Sequence, residues 1–138
     1  MKPQKPAFRR RARKRAANPA RLVAYDFETA PIRSGTPRPL YLTAAGDDWR
    51  YASPIRTMAH LHDELVAHFL TDARAGTTYA AWNGNRFDAY FIAAALVRDP
   101  AWRLTPFLTG SRELRALVIH RADDPTSRTR RWVFADGM

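Results

Sequence analysis

Two carboxylates stand two residues apart in the run Leu22-Val23-Ala24-Tyr25-Asp26-Phe27-Glu28. The run is short, β-prone and bounded by loop residues, which predicts a strand. Residues i and i+2 of a strand point to one face, so Asp26 and Glu28 converge on one spot. Two acids held together repel unless a proton or a cation sits between them. Magnesium or manganese, which prefer oxygen ligands, would resolve that repulsion. Taken alone, an Asp-x-Glu pair is more often a solvated pair at a strand edge.

A third carboxylate follows in Asn83-Gly84-Asn85-Arg86-Phe87-Asp88. This segment leaves a second apolar run, Thr77 to Trp82, and opens a mostly apolar helix, Phe87 to Val97, stopped by Pro100. Asp88 therefore falls in the first helical turn, where it or Asn85 can serve simply as a cap. If the two apolar strands are neighbours at the centre of a mixed sheet, the ends carrying Asp26, Glu28 and Asp88 meet at one edge of it.

The remaining elements must hold that edge in place. Pro31 to Pro39 reads as a loop. Leu40 to Ala45 and Trp49 to Ser53 form a hairpin through Gly46-Asp47-Asp48. From Thr57 the period turns helical, with Leu61, Leu65, Val66, Phe69 and Leu70, and it ends near Gly76. Leu104 to Thr109 reads as a short strand. Leu114 to His120 and Arg131 to Phe134 pair across the polar loop Ala122 to Thr129. The order predicts an α/β domain with a mixed sheet and two antiparallel hairpins.

Composition bounds the function. The 138 residues are 46% hydrophobic and 12% aromatic, enough for one domain with a real core. There is no cysteine, which excludes a disulfide framework, a zinc-thiolate site and a thiol nucleophile. The longest apolar run, Ala89 to Val97, is far short of the roughly 20 residues of a membrane span. The basic N-terminal stretch is not followed by an apolar segment, so no secretory signal is readable. A soluble protein with no membrane partner is expected.

Charge is concentrated at one end. Lys2, Lys5, Arg9, Arg10, Arg11, Arg13, Lys14, Arg15 and Arg21 face no acid within residues 1–21, and the rest of the chain is nearly neutral. This stretch, broken by Pro3, Pro6 and Pro19, predicts a disordered basic tail. It reads as an arm on nucleic-acid phosphates, with a solubilising or passive leader as the alternative.

Taken together, Asp26-Phe27-Glu28-Thr29 resembles the first motif, Asp-x-Glu, of the DEDD 3′→5′ exonucleases. Asn83 to Asp88 resembles their second motif, Asn-x(2–3)-Phe/Tyr-Asp, as found in family B DNA polymerases. The intervening hairpin and helix, and the apolar Ala89-Tyr90-Phe91-Ile92 after Phe87-Asp88, are most similar to the protein-primed branch from phages and linear plasmids. Leu114 to His120 and Trp132-Val133-Phe134-Ala135-Asp136 resemble the strand pair that those domains place after the second motif. The resemblance covers roughly residues 22–138.

It implies a ribonuclease-H-like mixed β-sheet with flanking helices, part of the proofreading exonuclease at the N-terminus of a replicative DNA polymerase, a nucleotidyltransferase. Asp26, Glu28 and Asp88 would hold two Mg2+ or Mn2+ ions that activate a water and stabilise a leaving 3′ oxygen. Thr29, Asn83 and Phe87 would contact the single-stranded 3′ end of DNA, Phe87 by a sequence-tolerant apolar surface. Outside the resemblance, the charge of the tail alone makes Arg9, Arg10, Arg11, Arg13, Lys14 and Arg15 candidates for further phosphate contacts. A terminal protein primer would be a further partner, and the cytoplasm of a bacterial or phage-infected cell the location.

The third motif of the family, Tyr-x-x-x-Asp, has no match, because the only tyrosine after Asp88 is Tyr90, and no polymerase palm motif is present. The expectation is therefore a truncated exonuclease-like domain over 22–138, without its last covering helix and with weak or no nuclease activity. Two alternatives stand beside it. One is a small autonomous DnaQ-like nuclease drawing a fourth carboxylate from Asp123, Asp124 or Asp136. The other is a non-catalytic DNA-binding remnant. His60, His62 and His68 read as exposed helix-surface residues, Trp82 and Trp102 as core, and Arg121, Arg128, Arg130 and Arg131 receive no role.

Overall fold

Alternation along Leu22–Thr29 (β1) turns Val23, Tyr25 and Phe27 inward and leaves Ala24, Asp26 and Glu28 exposed. The computed structural model describes residues 21–30, 37–82 and 88–137. The basic residues 1–20 and the segment 83–87 lie outside the described residues, so nothing is assigned to Arg9, Arg10, Arg11, Arg13, Lys14, Arg15, Asn83 or Phe87. Arg21, counted with the tail on charge, belongs to the folded body. Its carbonyl accepts from Thr78 N–H at 2.8 Å, and its guanidinium donates to the Ala73 carbonyl.

The other strands are Pro39–Ala45 (β2), Arg50–Pro54 (β3), Thr78–Trp82 (β4), Trp102–Leu108 (β5), Leu114–Arg121 (β6) and Arg131–Gly137 (β7). They form one mixed seven-stranded sheet in the order β3-β2-β1-β4-β7-β6-β5. The three central strands β1, β4 and β7 run parallel, and every other pairing is antiparallel. The expected adjacency of the two apolar strands at the centre is what forms, with Tyr25 opposite Ala81.

The helical stretch begins where Thr57 Oγ1 accepts from His60 N–H at 3.0 Å, an N-cap. It is not one continuous helix to Gly76. Met58–Glu64 (α1) widens into a π-helical turn over Leu65–Phe69, and a 3-10 turn at Asp72–Arg74 follows. The wider turn closes with Leu70 N–H donating to the Leu65 carbonyl, and it buries the consecutive Phe69 and Leu70. Gly76 then adopts φ +85°, a left-handed value that glycine takes without strain, and the chain enters β4. Asp88–Leu96 (α2) packs Phe91, Ile92 and Leu96 on the same face of the sheet.

That covered face is aromatic. Tyr79 and Phe134 stack at 4.7 Å, Tyr25 meets Phe134 edge-on at 5.4 Å, and Phe27 meets Phe91 edge-on at 5.3 Å. Tyr79 Oη donates to the Phe69 carbonyl at 2.7 Å, which satisfies the hydroxyl inside the core. Trp102 packs as expected, edge-on to Trp132 at 5.7 Å, while the Trp82 side chain is outside the described set. Both described helices occupy one side, and among the described residues no helix covers the opposite face of β1, β4 and β7, where Asp26 and Glu28 are exposed. Among the described residues no helix is long and apolar enough to cross a membrane.

Candidate active site at one end of the sheet

Because β1 and β4 are parallel neighbours, the ends that carry Glu28 and lead toward Asp88 lie at the same end of the sheet. Asp26 and Glu28 stand on the open face, with Thr43 and Tyr41 opposite them on β2. Partial desolvation, then the charge of Glu28, raises the pKa of Asp26 above its usual value, against a smaller opposing effect from a hydrogen bond to the Phe27 backbone. The pair is thus close enough to repel, as the strand spacing required. Thr29 ends the strand, half-buried and opposite Pro39 across an irregular register.

Asp88 opens α2 and is 1% exposed. It approaches from the helix-covered side, whereas Asp26 and Glu28 face the open side. The structure therefore brings all three to one end without gathering them on one face. Among the described residues, no three histidine, aspartate or glutamate side chains form a ready-made metal cage. The donor chemistry does suit a hard divalent ion, since Asp26 and Glu28 offer only carboxylate oxygens and repel each other without a cation.

The suggested fourth carboxylates divide. Asp123 and Asp124 sit in the β6–β7 connection, which meets the N-terminal end of β7, so they stand at the opposite end of the sheet. Asp124 also pairs with Arg130 at 3.8 Å. Neither can join Asp26, a correction to that expectation caused by the antiparallel turn. Asp136 is at the carboxylate end, in register with Ala81, its side chain outside the described set.

His68 is exposed as expected, while His60 and His62 are half-buried. His62 Nε2 meets Asp99 Oδ2 at 2.7 Å and its Nδ1 meets Asp63 Oδ1 at 3.0 Å. His60 and His68 flank Glu64 at 3.2 and 3.1 Å. A sequence search limited to one helix could not find Asp99, which lies 37 residues from His62. Met58, His62, Ala95 and Asp99 help line a groove of about 730 Å³ between α1 and α2, away from the carboxylates.

The hydrogen bonds to Asp63 and Asp99 raise the pKa of His62, and those from Ala101 N–H and His62 lower that of Asp99. A raised histidine contributes stability that is full below its unfolded pKa and lost as pH rises through its folded one. A lowered aspartate contributes stability that is lost as pH falls through its folded value. His62→Gln should therefore cost about 1 kcal/mol near pH 5.5 and much less near pH 9, after allowance for partial solvent screening. Thermal melts at the two pH values check this, and equal losses would show that the imidazolium contributes nothing.

Comparison with known proteins adds no assignment: no family model, no curated protein and no solved structure matches this chain.

Proposed function

We propose that this chain forms part of a metal-dependent 3′→5′ exonuclease acting on single-stranded DNA ends, of the proofreading kind carried by family B, protein-primed DNA polymerases, with a ribonuclease-H-like sheet. The observation that carries the reading is the coupled Asp26–Glu28 pair. It is exposed on the open face of a central strand, beside the strand that leads to Asp88. The element order supports it as well, with a hairpin and a helix between the two motif segments and an antiparallel strand pair after them.

Asp26 and Glu28 would hold the first Mg2+ or Mn2+ ion, with Asp88 at the same sheet end as a further carboxylate. When bound, such ions supply positive charge for phosphodiester hydrolysis. The protein's own part is to fix the two strand carboxylates side by side and to leave their face open to a DNA end. Thr29, next to Glu28 at the strand terminus, would contact the terminal nucleotide.

Incubation with a 5′-labelled oligonucleotide and Mn2+ tests the reading. Slow loss of nucleotides from the 3′ end is expected, reduced at least about a hundredfold in the Asp26→Ala, Glu28→Ala double variant. Equal metal-dependent trimming by parent and double variant would overturn it.

A further inference from the structure

Three basic residues stand side by side on the open face, at the sheet end away from the carboxylates. Arg103 of β5 pairs with His120 of β6, and His120 pairs with Arg131 of β7. Their chain neighbours Trp102, Ile119 and Trp132 pack into the core, so alternation puts the three on the opposite face, where Arg103 and Arg131 are exposed. Adjacent strands lie about 4.8 Å apart, which sets the Arg103 and Arg131 backbones roughly 9.6 Å apart, within reach of one phosphate group.

Like charges lined up across a sheet weaken it, and nearby arginines are neutralised. Arg130 and Arg121 share Asp72 at 3.1 and 3.8 Å, and the Arg121 guanidinium also lies over the Trp102 ring. Among the described residues no carboxylate pairs with Arg103 or Arg131. His120 between them is only 9% exposed. Its Nε2 donates to the Ser127 carbonyl at 2.9 Å, which leaves Nδ1 buried without a hydrogen-bond partner. Ser127 Oγ in turn accepts from Arg130 N–H at 2.8 Å, so the loop beside the row is fixed.

We propose that Arg103 and Arg131, flanking the buried His120, bind the phosphate backbone of single-stranded DNA. The choice of nucleic acid rests on the function proposed above, and the row itself on its own geometry. Between it and Asp26 the same face of β1, β4 and β7 carries Leu22, Ala24, Thr78, Ala80, Val133 and Ala135. Strand spacing and rise put Arg131 about 22 Å from Asp26, a span of several nucleotides.

The test is fluorescence anisotropy with a labelled single-stranded 12-mer and the full chain in EDTA, so that no divalent ion contributes. An R103Q/R131Q variant should bind about tenfold more weakly, and its log–log salt dependence should flatten by about 1.4, two phosphates' worth. Both side chains are exposed, and an unchanged circular dichroism spectrum verifies the fold. An R56Q/R98Q variant removes the same charge from exposed positions outside the row and should change affinity less than about threefold. Equal losses in the two variants, or none in R103Q/R131Q, would overturn the proposal. Inorganic phosphate at constant ionic strength should leave the oligonucleotide bound. Displacement by it would assign the row to the free anion and overturn the DNA assignment. The assay in EDTA does not use the carboxylate site, so failure of the carboxylate reading, which is judged by metal-dependent trimming, and failure of this one are told apart.

Discussion

With free Mn2+ at ten times its dissociation constant, the melting temperature of the parent chain should rise by about 6 °C, and that of D26A/E28A should not move. The size follows from linkage. An ion that binds only the folded state at that excess adds about 1.4 kcal/mol, and a domain near 100 residues converts each kcal/mol into roughly 4–8 °C. The direction follows from the repulsion between Asp26 and Glu28, which a cation converts into attraction. The raised pKa of Asp26 fixes the sign with pH in the absence of metal. Relative to the unfolded chain, its contribution is full below the unfolded value and lost as pH rises through the folded value. D26N should therefore slightly stabilise the metal-free chain at pH 7 and have no such effect near pH 3. Manganese binding should weaken as acid protonates the pair. An equal Mn2+ response in parent and double variant would remove these carboxylates from the site.

The strand carrying Asp26 and Glu28 was legible because a period of two is a short-range signal. Alternation between Val23, Tyr25 and Phe27 on one side and Ala24, Asp26 and Glu28 on the other is written in adjacent residues. The central pairing of β1 with β4 was legible for a related reason, since two apolar runs compete for the most buried positions. What sequence could not show was which side of the sheet each carboxylate approaches. Asp88 enters through a helix docked on the covered face, and that depends on the packing of Phe91 rather than on motif spacing. The π-helical turn at Leu65–Phe69 was invisible for the opposite reason. Leu61, Leu65, Val66, Phe69 and Leu70 all fit an ordinary helical face, so nothing in their spacing signals the wider turn. The row Arg103–His120–Arg131 was hidden by distance along the chain, because it is assembled by two strand registers.

Phe91→Ala should lower stability by about 3–4 kcal/mol, a fall of roughly 12–20 °C in melting temperature. The ring is 6% exposed and meets Phe27 edge-on, and Phe27 continues through Tyr25 and Phe134 to Tyr79. Removing it opens a cavity in that aromatic chain. Phe91→Leu keeps most of the volume and should cost about 1–1.5 kcal/mol, leaving the protein folded at 20 °C. The same substitution reaches the site, because Asp88 and Phe91 are three apart on one helix and share a face. Phe91 therefore sets how the first turn of α2 sits against the end of β1, between Asp26 and Glu28. If Asp88 shares an ion with those two residues, calorimetry at 20 °C should show F91L binding Mn2+ several-fold more weakly than the parent, and D88N losing at least as much. An F91L variant that melts lower yet binds manganese like the parent would confine Phe91 to the core. The ion would then rest on the two strand carboxylates of β1 without help from α2.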